Sequence, residues 1–161
     1  MTSAPGRERA PIRPYPLAVT IAVASVVVDA VTKRWASSTF TAEPVQILGD
    51  FLRFRFVENT GAAFSMFQGA GPFFGLAAAV AIVAVFWFLR NARNRWEVVG
   101  LALVMGGAAG NLVDRIFRGD GFLDGPVIDW IDLWRIPTFN IADASITIAV
   151  VVLLIGSWAK D

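Results

Sequence analysis

Two aspartates, Asp129 and Asp143, stand fourteen residues apart in Val127-Ile128-Asp129-Trp130 and Phe139-Asn140-Ile141-Ala142-Asp143. The chain around them is strongly apolar. Two carboxylates a few ångströms apart share one proton, because like charges at short range keep one group protonated while the other ionises. Such a pair can activate water. Most other catalytic kits are closed, since the chain has no histidine, no cysteine and one tyrosine. That removes Ser-His-Asp and Cys-His nucleophiles and leaves no plausible zinc site. Proton transfer therefore falls to Asp, Glu or Lys, and no cofactor is expected.

The elements that must position this pair are membrane elements. Of 161 residues, 56% are hydrophobic and 17% charged, with a mean hydropathy of +0.60. A soluble domain carries nearer a quarter charged residues, and here the apolar residues fall in blocks. Residues 1–16, with Arg7, Arg9, Arg13 and several prolines, are expected as a disordered cytoplasmic tail. Residues 17–161 form one membrane-embedded domain with spans at about 17–35, 72–89, 98–116 and 141–158. Pro72 suits the first turn of its helix, where a missing N–H costs nothing. A cleaved signal peptide is the bland alternative for the first span, but three further spans follow it. The expected fold is mainly α: a four-transmembrane-helix bundle with a small extracytoplasmic β-sheet and a second outer loop. The net charge of +1 supplies no argument for a nucleic-acid partner.

Orientation follows the basic residues. Arg7, Arg9 and Arg13 precede the first span, Arg90, Arg93 and Arg95 separate the second from the third, and Lys160 follows the fourth. The positive-inside rule places both termini in the cytoplasm. Residues 37–71 and 117–140 then face outward. Lys33, Arg34, Arg53 and Arg55 run against this bias. In the first outer segment, about 43–60, Gly49-Asp50 separates two apolar runs, and Leu52, Phe54 and Phe56 alternate with Arg53 and Arg55. That is a hairpin pattern with one apolar and one cationic face. The sheet either cradles a substrate or caps the bundle.

With this topology the unusual polar residues fall at one depth. Asp29 and Lys33 end the first span; Asn111, Asp114 and Arg115 end the third; Asn140 and Asp143 begin the fourth; Asn59 ends the sheet. Ionisable groups at membrane depth cost roughly 2.5–3.5 kcal/mol each on insertion scales and usually mark function. Each also has a plainer reading. Asp29 and Lys33, four apart on a helix, form an ion pair whose role is structural. Gly106 and Gly110 read as close helix packing, Asp114 as a carboxylate held by the adjacent Arg115, and Asp120, Asp124 and Asp132 as solvated loop charges. A helix N-terminus favours an ionised carboxylate at Asp143, so a neighbouring carboxylate is the better proton carrier.

Five stretches stand in one order: Asp29-Ala30-Val31-Thr32-Lys33; Glu58-Asn59-Thr60-Gly61-Ala62-Ala63-Phe64-Ser65; Gly106 to Arg115; Val127-Ile128-Asp129-Trp130; and Phe139-Asn140-Ile141-Ala142-Asp143-Ala144. In these motifs the chain resembles the lipoprotein signal peptidases (signal peptidase II) of bacteria. The resemblance implies an aspartyl endopeptidase of the cytoplasmic membrane that removes the signal peptide from diacylglyceryl-modified prolipoproteins, on the N-terminal side of the lipidated cysteine. It implies Asp129 and Asp143 as catalytic residues, with Asn59, Asn111, Asp114, Arg115, Asn140, Asp29 and Lys33 binding substrate or supporting the site. The implied partners are lipid-modified prolipoproteins and membrane lipid, with the protein acting as a monomer. Trp130 stands where the family usually has Phe, and the 117–125 loop is longer than usual, which leaves Asp114 as a rival to Asp129. A proton- or ion-coupled carrier is the competing class, but no internal repeat is present and the carboxylates gather at one surface rather than the midplane.

Overall fold

The computed structural model describes residues 14–41, 43–61 and 69–158. The order is α1 (Pro14–Thr39), β1 (Val45–Leu48), β2 (Leu52–Asn59), α2 (Gly71–Phe88) with a 3-10 turn at Leu89–Asn91, α3 (Arg95–Phe117), β3 (Val127–Leu133) and α4 (Ile141–Trp158). Among the described residues, four helices are long and apolar enough to cross a membrane. Together with the three-stranded antiparallel sheet, they form the mainly α membrane architecture expected above.

α1 and α3 run beyond the expected bounds for local reasons, whereas α2 shifts by one residue and α4 keeps its expected bounds. α1 begins at Pro14 rather than residue 17, because Pro14 and Pro16 sit in the first turn, where no N–H is needed. Residues 1–13 of the expected tail lie outside the described residues. α3 begins at Arg95 because Asn94 caps it: its side chain accepts the N–H groups of Trp96 and Glu97, each at 3.0 Å. Glu97 reaches back to the Arg93 N–H at 2.7 Å. Three backbone donors are thereby satisfied where the helix cannot satisfy them itself.

α3 is the central helix and packs against α1, α2 and α4. Its small residues let it do so. A Cβ on Gly106 would meet Ser25 and the Ala22 carbonyl of α1, and one on Gly107 would strike the Ala142 carbonyl of α4. Lipid tails are as apolar as leucine, so helices in a bilayer gain from close van der Waals approach rather than from burial. The outward faces carry exposed Val19, Val23, Val27 and Val31 on α1, Leu76, Val80 and Val83 on α2, and Val151 and Ile155 on α4. These are the lipid-facing stripes.

The sheet order is β1-β2-β3. The expected hairpin forms β1 and β2, with Gly49 at a φ of 55° in the turn. The expected second outer loop contains a third strand, β3, paired with β2 from Leu52↔Leu133 to Asn59↔Val127. β3 is buried on both faces, so it lacks the alternation that betrays a half-buried strand. Its Trp130 meets Trp35 of α1 edge-on at 5.5 Å and Phe54 of β2 at 5.0 Å. Ala36 and Phe40 complete that cluster, which seats the sheet on the C-terminal end of α1.

Gly107→Ala tests the packing directly. The added methyl meets the Ala142 carbonyl first and the Ile146 side chain next; the backbone contact cannot yield, so α4 must shift, at a cost of roughly 1–3 kcal/mol. A lower thermal midpoint in detergent is the expected result. An unchanged midpoint would show that α3 and α4 are not held at this separation.

Candidate active site

The site begins with Asn140, the residue immediately before α4. Its side-chain oxygen accepts the Asp143 N–H at 2.9 Å, and the Asp143 carboxylate accepts the Asn140 N–H at 3.2 Å. This is a reciprocal capping box built from Asn and Asp. Ala142 N–H, another orphan donor of the same turn, goes to Asp29 of α1 at 2.9 Å. The start of α4 thus fixes Asp143 through backbone bonds. The remaining Asp143 oxygen accepts Asn111 Nδ2 at 2.8 Å.

Asp129 comes from β3 and lies opposite Val57. One oxygen accepts Asn140 Nδ2 at 2.7 Å and the other accepts Asn59 Nδ2 at 2.9 Å. Asn140 therefore touches both aspartates: its amide nitrogen holds Asp129 while its oxygen and backbone hold the turn that carries Asp143. The Asp129 side of the site is almost dry, with the residue 2% exposed. Burial, followed by the neighbouring Asp143 carboxylate, pushes the Asp129 carboxyl up to about 7. Hydrogen bonds from Asn59 and Asn140, and the charge of Lys33, pull the other way and do not win. Near neutral pH this carboxyl can carry a proton.

Beneath the pair lies a buried charge network. Lys33 Nζ sits 2.7 Å from Asp29, 2.8 Å from Asp114 and 3.1 Å from Asn111 Oδ1. Asn111 Oδ1 also accepts Asn140 Nδ2 at 3.1 Å. Asp114 spends its other oxygen on Arg118 Nε at 2.6 Å and accepts the Ile128 N–H at 3.2 Å. Asp114 is therefore held on every side by donors, and its ionic partners are Lys33 and Arg118. The expected Asp114–Arg115 pairing does not form. Arg115 turns the other way, donating to the Gly61 carbonyl at 3.1 Å and lying over the Phe74 ring at 5.6 Å.

Both aspartates open onto one cavity of about 860 Å³. Phe74, Ala77, Ala78 and Ala81 of α2 form one wall, and Ala144, Thr147 and Ile148 of α4 another. Val104, Ala108, Asn111 and Arg115 of α3 form its floor, and Pro137, Thr138 and Phe139 close the end nearest the sheet. The cleft is apolar along its length and polar at one end. Arg115 Nη1 is buried there with no hydrogen-bond partner among the described residues.

All nine residues singled out from sequence lie within this connected site. Of the Glu58–Ser65 motif, residues 62–65 lie outside the described residues. Asp120 and Asp124 are exposed, as expected, and Asp124 accepts the Gly121 N–H within its own loop. Asp132 is the correction. It is buried, not solvated, and is gripped by Arg53 and Arg55 of β2. Arg53 and Arg55, alternating with the phenylalanines of β2, were its sequence signal.

A sequence model of the family described as Signal peptidase (SPase) II matches residues 21–159. A lipoprotein signal peptidase of Mycolicibacterium smegmatis is 38% identical over 158 residues, covering 96% of this chain and 67% of the relative. One from Mycobacterium tuberculosis is 40% identical over 155 residues, covering 94% and 77%. A bacterial membrane enzyme solved by the in meso method at 2.3 Å superposes with a TM-score of 0.78 at 30% identity, over 89% of this chain and 88% of that one. Another, at 1.9 Å, gives 0.76 at 30% identity, over 91% and 96%.

The charge network makes its own prediction. Lys33→Met leaves Asp29 without its cation, and breaking one side of a buried pair costs roughly 3–5 kcal/mol. The folded yield of Lys33→Met in detergent should fall sharply. The Asp29→Asn/Lys33→Met double variant should recover much of it, because Asp114 keeps Arg118. Equal loss in the single and double variants would refute the pairing.

Proposed function

Given that the chain belongs to the signal peptidase II family, we propose that Asp129 and Asp143 are the catalytic pair with which it processes lipoproteins. It is a multi-pass membrane enzyme, an aspartic endopeptidase whose activity is that of a lipoprotein signal peptidase. The observation that carries the residue assignment is the Asn140 side chain, which bonds Asp129 and caps Asp143 at once. Asp114, the rival, is saturated by Lys33, Arg118 and a backbone N–H.

In this reading Asp129 enters the reaction protonated and Asp143 ionised. A water held between them loses its proton to Asp143 as its oxygen attacks the scissile carbonyl. Asp129 donates to the developing oxyanion. The tetrahedral intermediate collapses with a proton passing to the leaving amine, and the pair returns to its starting charge. Asn59, Asn111 and Asn140 donate to the carboxylates, so their amides fix which oxygens face the substrate. Arg115 Nη1, without a partner among the described residues, stands at the polar end of the cleft, suited to a substrate backbone carbonyl.

The cleft matches a substrate that stays in the membrane. Its α2 and α4 walls take the apolar signal segment and the diacylglyceryl chains, and its polar end takes the peptide bond before the lipidated cysteine. The distribution of arginines supports both termini in the cytoplasm and the pair near the outer face of the cytoplasmic membrane. One copy supplies every group named in this reading, which therefore calls on no second copy.

Asp129→Asn and Asp143→Asn should each abolish cleavage of a lipid-modified prolipoprotein while the protein still folds and inserts. Asp114→Asn should lower folded yield yet leave cleavage in the folded fraction. Near-normal cleavage by Asp129→Asn, with Asp114→Asn folded and inactive, would reverse the assignment.

The raised Asp129 carboxyl sets the pH behaviour. The proton is present below about 7, so kcat/KM should fall about tenfold per pH unit above that value. The linked stability term has the same sign. The folded group binds its proton up to about 7, whereas the unfolded one releases it near 3.8. That stability is fully present below the lower value and is lost as pH rises through the higher. Asp129→Asn, neutral throughout, should therefore unfold at a higher temperature than the parent above pH about 7. A parent midpoint that rises with pH between about 5 and 8 would contradict this.

A further inference from the structure

Arg53 and Arg55 stand on the outer side against the charge bias, and the chemistry above uses neither. Both converge on Asp132. Its carboxylate, 5% exposed, lies 2.9 Å from Arg53 Nη2 and 3.2 Å from Arg55 Nε. Arg53 and Asp132 face each other across the β2–β3 ladder, so their contact pins the register of the strand that carries Asp129. Arg55 does more. Its Nε and Nη2 also reach Thr138 Oγ1, at 3.1 and 2.6 Å.

Thr138 belongs to the return segment between β3 and α4, which is the chain that joins Asp129 to Asp143. That segment leaves β3 through a turn with Trp134 at a φ of 47° and the exposed Arg135 and Ile136. It rejoins β3 where Phe139 N donates to Ile131 O at 3.0 Å and Phe139 O accepts the Ile131 N–H at 2.9 Å. The next residue is Asn140. Thr138 therefore sits one residue from the backbone bridge and two from the amide that touches both aspartates. It also lines the cavity.

We propose that Arg55 is a positioning residue for the reaction: by holding Asp132 and Thr138 together it fixes the return segment, and so the spacing of Asp129 and Asp143. This rests on those two aspartates being the reacting pair. The guanidinium is suited to the task because its rigid fork donates to two acceptors in fixed directions, whereas a lysine ammonium on a flexible stem cannot hold both. The bulge in β2 between Phe54 and Val57 takes in Arg55 and Phe56 and re-aims the strand there, as bulges beside active sites do.

The test uses the full chain in detergent with a lipid-modified prolipoprotein, comparing Thr138→Val, Arg55→Gln, Arg55→Lys and the Thr138→Val/Arg55→Gln double variant. Thr138→Val keeps the shape and removes the acceptor. It should lower kcat about 10- to 100-fold, the scale of a misplacement near 1 Å, with the thermal midpoint within about 3 °C of the parent. The alkaline limb of its pH profile should move to lower pH, since Asp129 loses part of the repulsion from Asp143. The other charges facing that carboxyl, Lys33 from α1 and Arg115 from α3, are untouched. Arg55→Lys should not rescue, and the double variant should be no worse than the poorer single one. Parent-like kcat in Thr138→Val, an unmoved limb, or losses that multiply in the double variant would each overturn the proposal. If Arg55→Gln does not fold, Thr138→Val decides alone. Cleavage by Asp129→Asn or Asp143→Asn would remove the reading beneath the proposal, whereas inactive aspartate variants beside a normal Thr138→Val would remove the positioning role alone.

Discussion

One side-chain amide holds this structure's chemistry together. Asn140 donates to Asp129 at 2.7 Å and to Asn111 at 3.1 Å, while its oxygen accepts the Asp143 N–H at 2.9 Å. An amide has two donors and an acceptor in one plane, so it can satisfy a carboxylate, a second amide and a helix N-terminus without adding charge. A lysine here would neutralise the pair, and an aliphatic residue would leave Asp129 short of a donor and the Asp143 N–H without its acceptor. Buried at 0% exposure, Asn140 is also not free to turn. The two aspartates are therefore neighbours by construction, although one rides a strand and the other a helix.

That construction depends on charges being paired below it. Lys33, with 1% exposure, meets Asp29, Asp114 and Asn111, and each of these does something further. Asp29 caps the α4 amide of Ala142, Asp114 receives the N–H of Ile128 next to Asp129, and Asn111 holds Asp143. A buried cation adds little net stability over an apolar substitute, because its desolvation is expensive. What it does give is a fixed meeting point for three helices and a strand. Gly110, where a Cβ would crowd Asp29 and Ala142, keeps that meeting point close enough to form.

Much of this was legible from sequence, and the exceptions have physical causes. Four apolar blocks separated by polar loops admit few arrangements in a bilayer, because every backbone group must be satisfied within a helix. The hairpin showed itself through Gly49-Asp50 and the alternation of phenylalanine with arginine. β3 did not, because Asp129 and Asp132 are three apart and point to opposite faces, both of them buried. A strand that carries a carboxylate inward on each face resembles a polar loop. The partners of Asp114 were misjudged for a related reason. Arg115 is adjacent in sequence, but neighbours on a helix diverge by about 100°, whereas Arg118 lies one turn on and Lys33 arrives from another helix. Sequence proximity is a poor guide to ion pairing wherever helices cross.

The asymmetry of the pair follows from the elements that carry it. Asp143 sits in the first turn of α4, where free N–H groups and the aligned peptide dipoles favour an anion. Asp129 sits mid-strand, where successive peptide dipoles alternate and give no such field. Its two amide donors are neutral, and burial outweighs them. In the proposed mechanism the strand therefore supplies the acid, because burial raises the Asp129 carboxyl where no helix field opposes it.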